Sequence, residues 1–269
     1  MTPIRKDSLG VIYIHTRYDD PKDFELRQKE LDAAVKQDYV ILKIDGDQFP
    51  DLTVCLNKGI HQAIQLGCEY VHWCHGDFHY DDPDWYDVLR HSLEAWPQIL
   101  KICASNSRDE IHPMRIGQEQ SWLMATSTFT KFPWAYFDER YLRCGGCEDY
   151  QQHFSILGHG FIVAITPETT IFHKGAQTRG KYDTNEHQLR NQGIFAQLTG
   201  FGGLVEIHKP EYFGCLLDPA EQRAATENLG LLGDLLKINE AAHFLIPDRQ
   251  KVLRDIFPAQ QAMQLRPGF

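Results

Sequence analysis

The feature that most restricts the fold is a recurrence in the first third of the chain. Short β-rich apolar runs each end in polar or acidic residues, and segments of helical periodicity separate them. Leu9-Gly-Val-Ile-Tyr-Ile-His15 passes into the polar Thr16-Arg-Tyr-Asp-Asp20, and Pro21 then suits the first position of a helix capped by Asp20. Phe24, Leu31, Ala34 and Val35 fall on one side of that helix. Tyr39-Val-Ile-Leu-Lys-Ile-Asp45 follows as a second strand ending in an acidic loop. A helical segment over residues 57–67, with Ile60, Ala63, Ile64 and Gly67 in phase, leads to a third strand, Glu69-Tyr-Val-His-Trp-Cys74. Alternation of this kind is most economically a parallel α/β sheet, because a strand re-enters a sheet in the same direction only through a crossover, usually helical. Ligands of open parallel sheets gather at the carboxyl ends of the strands, so the loops after His15, Ile44 and Cys74 are expected to converge on one crevice.

Further along, Asp82-Pro83 is expected to cap and open an amphipathic helix running through Leu89 and Leu93. Residues 99–104 form a further apolar run, residues 105–118 are polar and turn-rich, and residues 121–129 are apolar again. Phe161-Ile-Val-Ala-Ile165 and Thr169-Thr-Ile-Phe-His173 read as two strands separated by Pro167. From residue 206 the texture changes. Pro219 opens a helical segment with Leu229, Leu232, Leu235 and Leu236 in helical spacing, and a second short helix covers residues 249–256. The expected organisation is an α/β domain over residues 1–205 and a helical extension over residues 206–269.

With 269 residues, 42% of them hydrophobic, the chain can build a large core without staples. No apolar run reaches the roughly 18 residues that span a bilayer, and the first residues lack the apolar stretch of a signal peptide. The expectation is a soluble, cytoplasmic protein with no membrane span. Seven cysteines, an odd number scattered through core-like segments, read as reduced packing residues. A formal charge of −10 weighs against broad adhesion to nucleic acid or anionic membranes, so an anionic ligand needs a metal or localised Lys and Arg.

Two blocks carry the chemistry. The first is Val71-His-Trp-Cys-His-Gly-Asp77-Phe-His-Tyr-Asp-Asp-Pro-Asp-Trp85, read with Asn57-Lys-Gly59 before it; the second runs from Phe137-Asp-Glu-Arg-Tyr141 to Gly145-Gly-Cys-Glu-Asp149. In order and spacing these resemble the donor-binding and acid signatures of nucleotide-sugar-dependent glycosyltransferases of the GT-A fold, with family 2 the nearest likeness. Asp77 matches the last carboxylate of that family's Asp-x-Asp turn, and His75 stands where the first would be. The likeness spans roughly residues 9–180 and implies a Rossmann-like α/β fold, a mostly parallel central sheet flanked by helices. It also implies an inverting hexosyl-type transfer from a nucleotide sugar, a UDP-sugar foremost, to an acceptor glycan, protein or small molecule, with modified DNA a remote option.

In that reading Asp149 is the catalytic base and Glu148 orients the acceptor. Thr16 and Asp45 touch the nucleobase and ribose, and Asp77 with His173 holds a divalent metal, Mn²⁺ or Mg²⁺. Lys174, Arg179 and Lys181 meet the diphosphate. The residue types suit the chemistry without the likeness. A diphosphate leaving group gathers negative charge that a metal or cations can absorb, and an acceptor hydroxyl needs a carboxylate to take its proton.

Each residue also has a plainer role. Thr16, Asp45 and Asp77 are common turn formers, and Glu148-Asp149 is a favourable first-turn pair for a helix starting near Tyr150. Cys144-Gly-Gly-Cys147 with His72, Cys74, His75 and His79 raises a zinc or redox site. Strand alternation, however, sends His72 and Cys74 to one face and Trp73 and His75 to the other. Alternatives of other classes are a sugar-nucleotide hydrolase and a non-catalytic, lectin-like binding protein.

Overall fold

The first crossover forms as its residues dictate. The Asp20 side chain accepts a hydrogen bond from the Lys22 amide at 2.9 Å, and Pro21 opens helix α1 (Pro21–Ala34). This helix lies between strands β1 (Arg5–His15) and β2 (Tyr39–Asp45). The structure, a computed structural model, describes residues 5–74, 76, 78–80, 82–97, 99–106, 121–143, 148–159 and 161–173, together with 187, 190, 191 and 194. The expected extension over residues 206–269 lies outside the described residues.

Strands β3 (Cys68–Cys74), β4 (Phe78–Tyr80), β5 (Ile99–Asn106), β6 (Ser121–Ala125) and β7 (Ile162–His173) join the first two in one seven-stranded sheet of order β2-β1-β3-β6-β5-β7-β4. β1 runs parallel to β2 and β3, and β5 runs parallel to β7. β6 is antiparallel to β3 and β5, and β4 is antiparallel to β7. All strands but β4 and β6 therefore point one way, which is the mostly parallel α/β sheet expected above.

Helices α2 (Leu52–Leu66), α3 (Trp85–Ala95), α4 (Thr126–Lys131) and α5 (Glu148–Gly158), with a single 3-10 turn over Pro133–Ala135, follow in the chain. Two boundaries differ from expectation for identifiable reasons. α2 begins at Leu52 rather than near residue 57, because its first turn is held from a distance: Leu52 N–H donates to the Arg143 carbonyl at 3.1 Å and the Thr53 hydroxyl to the Tyr141 carbonyl at 3.2 Å. α3 starts at Trp85 with Asp84 as its cap residue, while Asp82 makes the preceding turn by accepting from the Asp84 amide at 2.8 Å. β7 is one strand across Pro167. Its register against β5 jumps from Ala104↔Thr166 to Ser105↔Thr170, a bulge that accommodates a residue with no N–H to give. The apolar stretch after residue 120 divides into β6 and α4.

The sheet has two apolar faces. On one, α1 and α3 cover Leu9, Val11, Tyr70, Cys74 and Ile102; on the other, α2, α4 and α5 cover Ile12, Val71, Trp73, Cys103 and Trp122. α2 approaches β1 so closely that a Cβ at Gly59 would come within 2.6 Å of Ile12. Cys55, Cys68, Cys74 and Cys103 are buried, in keeping with packing roles. Among the described residues, no helix is long and apolar enough to cross a membrane.

Candidate functional site

The carboxyl ends of the parallel strands collect the loops that the sequence marks. His15 and Asp45 are register partners at the ends of β1 and β2. The two loops beyond them are tied: Arg17 N–H donates to Asp47 Oδ2 at 2.8 Å, and the Arg17 guanidinium lies 3.1 Å from Asp47 Oδ1. Gly46 sits where a Cβ would meet Thr16 Cγ2 at 3.0 Å and the His15 carbonyl at 3.2 Å, so this crossing favours glycine. Thr16 donates its N–H to Asp19 Oδ2 at 2.7 Å and accepts from the Tyr18 amide at 3.2 Å through its hydroxyl. Asp45 Oδ1 accepts from the amides of Asp47 and Gln48 at 2.9 and 3.1 Å. Both residues act as turn formers here, and Asp45 remains exposed.

The third loop leaves β3 after Cys74. Gly76 within it has open space where a Cβ would stand. His75 and Asp77 lie outside the described residues, as do Lys174, Arg179, Lys181, Cys144 and Cys147. The backbone nonetheless relates the two expected metal ligands: Phe78, the residue after Asp77, is the ladder partner of His173. The described part of His173 is its backbone in β7. Among the described residues, no group of three or more His, Cys, Asp and Glu side chains is arranged to hold a metal ion.

Beneath this loop, on the α1 and α3 side, lies a buried polar cluster. The His72 Nδ1 to Trp122 carbonyl distance of 2.7 Å identifies that nitrogen as the donor, which leaves Nε2 to accept from the Tyr80 hydroxyl at 3.5 Å. Tyr80 also bonds the Ser121 hydroxyl and stacks on Trp85 with ring centroids 4.0 Å apart. Burial, reinforced by the charge of Arg27, pushes the His72 pKa down to about 3, so the ring is neutral, and both of its nitrogens face partners within the sheet. Arg27 lies 3.5 Å from Cys74 Sγ and 2.9 Å from Glu30, whose other oxygen is 2.7 Å from His79 Nδ1.

On the opposite face the two sequence blocks are bonded together. Asn57 in α2 donates to the Phe137 carbonyl at 2.9 Å and to Glu139 Oε1 at 3.0 Å, and accepts from the Phe137 amide at 3.0 Å. Asp51 accepts from the Arg143 amide at 2.8 Å, and Asn191 makes two bonds of 2.9 Å to the backbone of Leu142. Arg143 adopts φ 57, the left-handed region that non-glycine residues seldom occupy, just ahead of the double glycine. The segment that delivers Glu148 and Asp149 is thus anchored from α2 and from Asn191. α5 ends at Gly158 and β7 starts at Ile162, so α5 descends toward the amino edge of the parallel strands. Its first turn, with Glu148 and Asp149, accordingly points to the carboxyl edge where the loops collect. Glu148 is buried and Asp149 partly exposed.

Three contributors escape a reading of the motifs: Asn191, Lys101 and Gln152. Lys101 is fully buried in β5, and its ammonium donates to Gln152 Oε1 at 2.7 Å. Gln152 in turn donates to the Ala135 carbonyl at 2.7 Å. Burial drives the Lys101 pKa down to about 7, while the charges of Cys103 and Asp149 resist that fall. The available signal was a lone lysine inside the apolar run Ile99-Leu-Lys-Ile-Cys103.

No protein-family profile matches the chain, and no curated protein matches it. Among solved structures, the chain is similar to a glycosyltransferase involved in the glycosylation of the major capsid of PBCV-1. The identity is 10% and the TM-score 0.35, over 67% of this chain and 98% of that one.

Proposed function

We propose that this protein is an inverting glycosyltransferase that moves a sugar from a nucleoside diphosphate to an acceptor hydroxyl, with Asp149 as the base. The observation that carries the reading is the bonding of the two motif blocks through Asn57, which ties the acid-bearing segment to the helix leading into β3. Partly exposed in the first turn of α5, Asp149 is open to an acceptor hydroxyl, and Glu148 beside it orients that acceptor. A base so placed contributes about 10²–10⁴-fold to the rate.

On this reading the donor lies over the ends of β1, β2 and β3, with Thr16 and Asp45 at the nucleoside and Lys174, Arg179 and Lys181 at the diphosphate. Asp77 and His173 would hold Mn²⁺ or Mg²⁺. Support for that pairing is the Phe78↔His173 register, since Phe78 directly follows Asp77 in sequence, and a carboxylate with one imidazole suits Mn²⁺ somewhat better. Such a cation supplies Lewis-acid neutralisation of the departing diphosphate. The net charge of −10 favours a glycan, protein or small-molecule acceptor over DNA.

A thermal-shift screen of nucleotide sugars, with and without Mn²⁺, identifies the donor, since a ligand of the native state raises the melting temperature. Asp149→Asn is expected to lower kcat by about 10²-fold or more while the donor-induced shift persists. Undiminished turnover would remove Asp149 from the mechanism. Release of free sugar at the same rate without any acceptor would turn the assignment toward hydrolysis.

A further inference from the structure

We propose that Lys101 is the positioning residue of Asp149: anchored by Gln152 inside the core, its ammonium holds the Asp149 carboxylate ionised as the acceptor approaches. The proposal rests on the reading of Asp149 as the base. It starts from a contradiction, because a lysine in an apolar strand ordinarily reaches for water along its flexible stem, and Lys101 is 0% exposed. A charge so enclosed persists only where it is compensated, and its surroundings are built for a cation.

Gln152 offers its carbonyl oxygen at 2.7 Å and is itself fixed by its bond to Ala135, so it cannot rotate to present its amide nitrogen without losing both bonds. The rings of Trp122 and Phe137 lie with their centroids 5.3 and 5.5 Å from the ammonium, a distance at which the π faces attract positive charge. β7 places the uncharged Val163 in register beside it. Among the described residues, the ionisable groups whose charge acts on Lys101 are Cys103 on its own strand and Asp149 on α5. The Cys103 thiol is pushed up to about 11 by burial and is therefore neutral near pH 7. Asp149 is a carboxylate whose charge acts on Lys101, and it lies on the helix that carries the Gln152 anchor. Residues 149 and 152 share one side of α5, so a single helical turn presents both the anchor and the carboxylate to the same ammonium.

The consequence is a base whose charge survives in a partly enclosed site. Without the ammonium, nothing from Lys101 opposes the upward pull of partial burial on the carboxylate's pKa, and the acid limb of activity moves to higher pH. The coupling is reciprocal, so each partner reports on the other. The first measurement is the NMR titration of the Lys101 ammonium in the full chain and in Asp149→Asn, which keeps the side-chain shape. The expected result is a move of the Lys101 midpoint to lower pH by about one unit; an unmoved midpoint overturns the proposal. The second is the pH dependence of kcat in Lys101→Met. Its acid limb is expected to shift upward by about one unit, with the donor KM little changed, whereas a merely structural lysine would lower kcat at every pH and leave the limb in place. If no nucleotide sugar is turned over by the wild-type protein, the glycosyl-transfer reading fails, and the ammonium titration still decides whether the pair exists.

Discussion

Among the described residues, Arg27 and Lys101 are cations buried on opposite faces of the sheet, and the two are treated in opposite ways. On the α1 side Arg27 is 2% exposed, yet the neighbouring Cys74, Glu30 and Tyr80 outweigh the pull of burial and hold its guanidinium above its ordinary pKa. On the α5 side Lys101 is equally buried, but burial wins and brings it down to about 7. The difference lies in the company each keeps. Arg27 has a carboxylate at 2.9 Å, whereas Lys101 has a neutral amide at 2.7 Å and aromatic faces, with the Asp149 charge acting from the edge of the helix. One charge is permanent and lies against Cys74 at the end of β3; the other is poised to respond to pH and sits beside the helix of the candidate base. A fold can therefore use the same expensive device, an enclosed positive charge, for rigidity on one side and for tuning on the other.

The comparison breaks most readily at Arg27. Arg27→Met removes the cation and leaves Glu30, whose side chain is 14% exposed, with the His79 ring at 2.7 Å but without the guanidinium that neutralises it. A carboxylate stranded in this way costs about 3–5 kcal/mol, so a large fall in the urea midpoint is expected. A loss below about 1 kcal/mol, the range of an exposed pair, would mean that the Arg27 charge is not structural.

A second test is the alkaline behaviour of Lys101. Below pH 7 the folded and unfolded chains both carry its proton; between about 7 and the ordinary 10.5 the unfolded chain keeps the proton and the folded chain releases it. Stability attributable to this group therefore rises with pH across that window, by up to about 1.4 kcal/mol per unit. Urea unfolding of the wild type and Lys101→Met at pH 7, 8 and 9 should show the wild type gaining about 2 kcal/mol relative to the variant. A constant difference would place Lys101 among permanently charged groups like Arg27.

The same contrast explains what could be read before any coordinates. β1, β2 and β3 were legible because each is a short β-rich apolar run that ends in polar or acidic residues, and the cap at Asp20 was legible because its partner is two residues away. The first turn of α2 was not, because its partners, Tyr141 and Arg143, lie about ninety residues further on. β7 read as two strands because Pro167 stops a ladder locally, while the bulge that rescues it depends on the register with β5. At the candidate site, the acids of the double-glycine block stand out in the sequence by type and spacing, as expectations. Lys101 does not, since a lone lysine in a strand carries no local sign of whether water or Trp122 and Gln152 will meet it. Local chemistry writes itself into neighbouring residues; a charge compensated across the fold leaves a single unexplained letter.

The smallest expected effect on stability, and the sharpest test of whether the α5 face is wired for function, is at Asn57. Its amide makes three bonds of 2.9–3.0 Å to Phe137 and Glu139, and Asn57→Ala leaves the Phe137 amide and carbonyl without those partners. Their loss costs about 1–2 kcal/mol, less than at Arg27, because Glu139 can turn to water and the helix itself prefers alanine. The segment released, however, carries the ring that lies over the Lys101 ammonium and leads into the turn before Asp149. Single-turnover rates measured well below the melting temperature are therefore expected to fall about tenfold, out of proportion to the stability lost, since small displacements of a positioned base are costly. A rate that follows stability alone would make the tether a packing device, and both buried cations would then belong to the scaffold.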